Sequence, residues 1–168
     1  MPTTALLVGR FQPFHKGHLK FVEWATDRCD KIIIGIGSSQ ENNTRKNPFS
    51  FEERKQMIES SLTFQKDRLK IIALPDINDP PNWVKHVKSI APGYNIIYTN
   101  SDLEKELFKK AGDVVVSPPF FARKKFKAMD IREHIASGES WRNLVPEGTL
   151  RVIQEVNGVE RIRNLKQP

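Results

Sequence analysis

The run Lys31-Ile32-Ile33-Ile34-Gly35-Ile36 is the feature that most constrains the fold. Its isoleucines do not alternate with polar residues, so an extended segment here is apolar on both faces. Strands of that kind belong in a parallel sheet covered by helices. Thr4-Ala5-Leu6-Leu7-Val8 has the same character. Between the two runs, Leu19, Val22, Ala25 and Cys29 recur at roughly helical spacing, so residues 18–28 read as a crossover helix. Strand, helix and strand then form a right-handed parallel unit.

The theme repeats along the chain. Ser50-Phe51-Glu52-Glu53 is a capping box that opens a helix carrying Met57, Ile58 and Leu62. Residues 69–74, 95–98 and 114–116 read as further strands, and 83–90 and 102–111 as helices. Gly112 stands where a left-handed residue closes the second of these helices. After Pro118-Pro119 the chain turns helical: 130–136 ends near Gly138, and 146–156 ends at Asn157-Gly158, with Pro146 just inside. The expectation is a single α/β domain over residues 1–168, a doubly wound parallel sheet of about five strands with a helical C-terminal portion. In such sheets ligands bind beyond the carboxyl ends of the strands, where strand order reverses.

Composition narrows the function. Twenty-seven Lys and Arg against 20 Asp and Glu leave a net charge of +7, which favours anions. The basic residues are spread out, Arg123-Lys124-Lys125-Phe126-Lys127 being the one dense cluster. No stretch approaches the length of a membrane span, and the first residues lack the pattern of a secretory leader. Cys29 is the only cysteine, so no intrachain disulfide forms, and a buried, inert thiol is expected. No membrane association is expected, and a cytoplasmic location is.

The chemistry concentrates in Gly9-Arg10-Phe11-Gln12-Pro13-Phe14-His15-Lys16-Gly17-His18, directly after the first strand and running into the first helix. Gly9 admits a ligand close to backbone, and Gly17 is expected to permit an unusual backbone angle. His18 falls in the first helical turn, where free N–H groups and the helix dipole favour anions. Two imidazoles, Arg10 and Lys16 thus gather where a polyphosphate can lie. As a metal pair, the two histidines would need further ligands, and no nearby Cys, Asp or Glu completes a set. The spacing is not that of a Walker loop.

His15-x-Gly17-His18 after a strand resembles the signature of the nucleotidylyltransferase superfamily with a Rossmann-like fold. The longer segment from Gly9 is similar to the archaeal type of nicotinamide-nucleotide adenylyltransferase. Gly35-Ile36-Gly37-Ser38-Ser39-Gln40, Asn47-Pro48-Phe49-Ser50-Phe51-Glu52-Glu53-Arg54, Asp76-Ile77-Asn78 with Trp83-Val84, Tyr98-Thr99-Asn100 and Asn157-Gly158-Val159-Glu160-Arg161 extend the likeness over almost the whole chain. The resemblance implies transfer of the adenylyl group of ATP to nicotinamide mononucleotide (NMN), giving NAD and pyrophosphate. It implies catalytic roles for His18, His15 and Arg10, and ATP contacts from Gly9, Phe11, Lys16, Gly17, Ile131, Arg132 and Asn100. NMN contacts are implied for Trp83, Asn78, Asn82, Gly37 and Ser38. Arg45, Lys46 and Lys127 are placed to reach phosphate. Mg²⁺ is expected with ATP, held by phosphates and water rather than by a dedicated protein site. A homo-oligomer is implied, a hexamer being the assembly suggested.

Trp83 read alone is more readily a core residue than a stacking one, and the resemblance reverses that preference; Arg54 is as well structural, pairing with a carboxylate, as functional. Relatives usually carry Ser-Gly-Thr before the late helix, where this chain has Lys127-Ala128-Met129, then Asp130-Ile131-Arg132-Glu133. Asp130 with Glu133 reads as a capping pattern, and a capping carboxylate would oppose phosphate. The nearest alternatives are another acceptor, phosphopantetheine or flavin mononucleotide, on the same fold. A basic nucleic-acid-binding module, faintly suggested by Phe120-Phe121-Ala122-Arg123-Lys124-Lys125-Phe126, is not expected.

Overall fold

A computed structural model describes residues 2–63, 66–121 and 124–165. The chain groups into two compact units interleaved in sequence: residues 1–9, 21–38 and 65–119 form the first, and 10–20, 39–64 and 120–168 the second.

The first unit holds the sheet. Strands β1 (Thr4–Gly9), β2 (Lys31–Gly37), β3 (Leu69–Leu74), β4 (Ile96–Tyr98) and β5 (Val115–Val116) run in the order β3-β2-β1-β4-β5. All neighbours pair in parallel, with Leu6 opposite Ile33 on one side of β1 and Ile97 on the other. The chain winds outward from β1 twice, in opposite directions, which is the Rossmann-like, doubly wound arrangement. Ile32, Ile34 and Ile36 are buried, and so is Ile33, as the unbroken apolar run requires. Helix α3 (Pro80–Ile90) packs on β3 and on α4 (Asp102–Lys110), and Leu6, Leu74, Val84, Val87, Ile97 and Phe108 form the core they share. Burial on this scale contributes roughly 1.5–3 kcal/mol per large side chain.

Helix α3 begins three residues before the expected Trp83. Pro80 and Pro81 occupy its first turn, where no N–H is needed and proline's φ already suits a helix. Gly112 closes α4 at φ 86°, as expected of a left-handed terminator. Cys29 is buried and its thiol donates to the Ala25 carbonyl; burial pushes its pKa up, which keeps it inert. Helix α1 (Lys16–Thr26) starts in the second unit and ends in the first.

The second unit is helical: α2 (Phe51–Ser61), α5 (Ala128–Ser137), α6 (Glu147–Glu155) and α7 (Gly158–Asn164). The Ser50 capping box forms, the Ser50 hydroxyl accepting from the Glu53 N–H and the Glu53 carboxylate from the Ser50 N–H. One expectation needs correction here and one needs extending. Pro146 is the residue before α6 rather than inside it, and α6 does end at Asn157-Gly158, but a further helix follows there. Asn157 takes the left-handed conformation (φ 52°) and α7 starts at once. Gly158 is there for space: a Cβ would lie 2.9 Å from Phe49 and 3.0 Å from Ile153. Arg161 on α7 then binds both oxygens of Glu53, at 2.7 and 2.9 Å, and the Pro48 carbonyl. Gly148 of α6 lies against α2 so closely that a Cβ would sit 2.5 Å from the Ser60 backbone.

Candidate functional site

The loop leaving β1 is fixed by hydrogen bonds that its sequence does not advertise. Gln12 is buried and its amide works as a strand edge, donating to the Phe49 carbonyl at 2.9 Å and accepting the Phe49 N–H at 3.0 Å. Arg54, fully buried, donates to the carbonyls of Ser50, Arg10 and Glu41. These bonds, to backbone carbonyls rather than to a carboxylate, give Arg54 a structural role. Phe11 takes φ 54°, a conformation that costs a non-glycine residue about 1 kcal/mol. In return its ring meets His18 edge-on at 4.9 Å and Phe14 at 5.8 Å. Phe11 therefore supports the His18 ring.

His15 and His18 build a capping box out of imidazoles. His15 precedes α1 and its Nδ1 accepts the His18 N–H at 3.2 Å; the Nδ1 of His18 accepts the His15 N–H at 3.1 Å. The rings stack with centroids 3.5 Å apart. Because each Nδ1 is an acceptor, each neutral ring carries its proton on Nε2. Burial lowers the His15 pKa to about 4, and burial followed by the nearby His15 takes His18 well below its ordinary value. Near neutral pH the pair thus presents two uncharged Nε2–H donors. Gly17 does not have the unusual backbone angle expected of it; the positive-φ glycines are others. Its requirement is room, since a Cβ would lie 2.9 Å from the His15 ring and 3.0 Å from Phe126.

Phe126, stacked near His15 at 6.3 Å, also lines an open cavity of about 1170 Å³. Arg10, Arg45, Lys46, Lys127 and Arg132, all expected from sequence, line it together with Lys124, which was not. Glu133 is the one acid in the lining and lies 3.7 Å from Arg45. Arg132 donates to the Gln12 carbonyl at 2.8 Å, and burial, then the charge of Arg10, lowers its pKa to about 10, leaving it protonated at neutral pH. Helix α5 opens onto this cavity. Lys127 is the residue before its first, no side chain caps it, and Ala128 and Met129 line the cavity. The expected carboxylate cap is absent because Asp130 lies in the third helical position instead. Ile131 is fully buried, and its N–H is held by the Lys127 carbonyl. Lys16 and Gly17 stand in the first turn of α1 and are not part of the lining. Arg123 lies outside the described residues.

In the first unit, Trp83 and Asn78 line a groove of about 270 Å³ with Asp76, Asp79 and Glu104. Trp83 packs against the core and also lines the groove. Asn82 does not line it; its amide donates to Asp79 Oδ2 at 2.6 Å. Gly37 ends β2 and Ser38 follows at φ 46°, both at the carboxyl edge of the sheet but outside the groove lining. Gly9 ends β1 there too. The Asn100 amide donates to the Pro118 carbonyl. Burial raises the pKa of Glu104, against the opposing hydrogen bond from Thr99. Among the described residues, no cluster of three or more His, Cys, Asp or Glu is arranged to hold a metal ion. No described helix is long and apolar enough to cross a membrane.

A doubly wound sheet with paired imidazole donors after β1 and a basic cavity defines a nucleotide-handling α/β protein. Residues 6–138 match the cytidylyltransferase-like family. The nicotinamide-nucleotide adenylyltransferase of Pyrococcus horikoshii is 44% identical over 95% of this chain and 87% of its own. That of Thermoplasma acidophilum is 43% identical over 96% and 90%. Among solved structures, a bifunctional NMN adenylyltransferase/ADP-ribose pyrophosphatase from Francisella tularensis, complexed with AMP and manganese, superposes with a TM-score of 0.80 at 28% identity. The match covers 97% of this chain and 52% of that one, so the chain spans about half that bifunctional protein. The chain belongs to the nicotinamide-nucleotide adenylyltransferase family.

Proposed function

We propose that this chain transfers the adenylyl group of ATP to NMN, giving NAD and pyrophosphate. The NMN phosphate oxygen attacks the α-phosphorus of ATP, forming the new P–O bond as the bond to the β-phosphate oxygen breaks and pyrophosphate departs. A phosphate monoester's second pKa is about 6, so the nucleophile is already anionic and no strong base is needed. What is needed is alignment and charge neutralisation.

The observation that carries the reading is the histidine pair. Two neutral Nε2–H donors suit an α-phosphate whose charge moves during transfer, because they hydrogen-bond without a fixed counter-ion. The permanent cations Arg10, Arg45, Lys46, Lys127 and Arg132 suit the β- and γ-phosphates. Trp83 suits the cationic nicotinamide ring, with Asn78 for the carboxamide. A cavity lined by cations and one carboxylate fits a divalent ion only as a guest of the phosphates, and Mg²⁺ in that role supplies charge neutralisation.

The interleaved units pass the chain back and forth five times, which supports a single catalytic domain over residues 1–168. A cytoplasmic location fits the single free cysteine. Self-association, up to a hexamer, is supported by the exposed Leu103 and Val114 and is read by light scattering. Incubation with ATP, Mg²⁺ and NMN tests the function: NAD must appear. A folded protein that binds ATP and makes none sends the acceptor search to flavin mononucleotide and phosphopantetheine.

A further inference from the structure

Arg45 is poorly satisfied for a guanidinium whose side chain is only 18% exposed. Its Nη1 donates to the Leu165 carbonyl at a long 3.3 Å, and its Nη2 lies 3.7 Å from Glu133 Oε2, outside hydrogen-bond range. Its buried Nε has no partner among the described residues. Arg132, one residue before Glu133 on α5, instead donates to the Gln12 carbonyl at 2.8 Å. Arg45 and Lys46 stand at the tip of a turn that closes on itself. The Thr44 N–H donates to the Asn47 carbonyl at 3.2 Å, and the Asn47 N–H to the Thr44 hydroxyl at 2.9 Å. The Arg45 side chain can therefore exchange partners without opening the turn that carries it. Glu133, 56% exposed, is the single acid in a cavity lined by six basic side chains, and it faces the least satisfied of them.

We propose that Glu133 is an intramolecular competitor for Arg45, weakening the binding of ATP and of the pyrophosphate product alike. The inference rests on the adenylyltransferase reading above, from which it takes the cavity as the polyphosphate site. A phosphate oxygen and the Glu133 carboxylate are alternative acceptors for the same guanidinium, and phosphate takes the planar fork with two bonds where Glu133 takes none at hydrogen-bond distance. A polyphosphate thus gains Arg45 by displacing Glu133, and Glu133 reclaims it as pyrophosphate leaves. The competition is worth little in energy, because the pair is partly exposed and screened by salt. Its effect is to keep a cavity of six cations from holding its product too tightly.

The test is the Kd of inorganic pyrophosphate and of ATP, measured by calorimetric titration of the wild type, Glu133→Gln, Arg45→Ala and the double variant, with thermal melting as the check on folding. Glu133→Gln is expected to bind both about fivefold more tightly at low ionic strength, and the gain should shrink as salt rises. In the Arg45→Ala background the same substitution should change either Kd by less than about twofold. Glu133→Asp, which keeps the charge on a shorter stem, should give part of the gain and covers the case in which Glu133→Gln fails to fold. Unchanged or weaker binding by folded Glu133 variants overturns the proposal. An equal gain in both backgrounds also overturns it, because Glu133 would then repel phosphate without acting through Arg45. Failure of ATP and pyrophosphate to bind any of these proteins overturns the proposal and the reading together, whereas binding with no NAD formed from NMN overturns the reading alone.

Discussion

His15 and His18 hold each other: each imidazole accepts the other's backbone N–H through Nδ1, across rings stacked 3.5 Å apart. One arrangement therefore caps α1, fixes both tautomers and directs both Nε2–H groups away from the helix. His18→Ala removes one donor and the partner of the His15 N–H. We expect kcat to fall roughly 10²–10³-fold with KM for NMN nearly unchanged, measured by steady-state NAD formation. An equal loss confined to KM would place His18 in ground-state binding instead.

The same burial makes stability sensitive to acid. His15 in the fold has its pKa lowered to about 4 from 6.5, so the unfolded chain binds the proton more readily. The stabilisation is complete above pH 6.5 and is lost as pH falls from 6.5 towards 4, amounting to on the order of 3 kcal/mol. His18 shifts in the same direction. His15→Asn keeps a capping acceptor but cannot titrate. It should flatten the pH dependence of urea unfolding over this interval, whereas an unchanged slope would assign the acid loss to other groups.

Gly17→Ala tests whether space is what the motif's glycine provides. The new methyl would lie 2.9 Å from the His15 ring with Phe126 behind it, so the ring must move off its hydrogen bond. Overpacking costs roughly 1–3 kcal/mol. We expect lower thermal stability together with at least about a tenfold loss of kcat. Wild-type turnover would mean that His15 does not need this position.

Sequence carried the sheet well because Ile32 to Ile36 is apolar without alternation, a pattern that few other settings accept. It carried the histidine motif because contiguous residues make it. What stayed hidden depends on contacts between distant segments. The pairing of Gln12 with Phe49, and the Arg10 and Glu41 carbonyls reached by Arg54, have no local signal. Helix α7 was obscured because Asn157-Gly158 has terminator chemistry, while Gly158 in fact answers to Phe49. Glu53 was legible as a capping residue but not as the partner of Arg161.

That partnership is testable. Burial alone would raise the Glu53 pKa, but the hydrogen bonds and charge of Arg161, with the Ser50 N–H, leave it below the ordinary 4.5. Its contribution is therefore present above pH 4.5 and lost as pH falls through the lower folded value. Arg161→Met should cost about 1.5–3 kcal/mol at pH 7 by urea unfolding, with a smaller penalty once acid protonates Glu53. A penalty independent of pH would reduce the role of Arg161 to its packing over Phe49.

Lys127 is where this chain departs from the expected Ser-Gly-Thr, and its consequence is electrostatic. A hydroxyl offers one directed hydrogen bond, whereas an ammonium on a flexible stem adds a charge that follows the phosphate. Lys127 stands before the first residue of α5, with no side-chain cap in its way, in a cavity shared with Arg10, Arg45 and Arg132. Lys127→Ala should raise KM for ATP by about tenfold, leave KM for NMN unchanged, and weaken the salt dependence of ATP binding. Replacing Lys127-Ala128-Met129 by Ser-Gly-Thr should recover most of the affinity while keeping the weaker salt dependence, because hydroxyls and backbone N–H groups then replace a charge. If Lys127→Ala binds ATP as the wild type does, the remaining cations suffice and the departure is neutral.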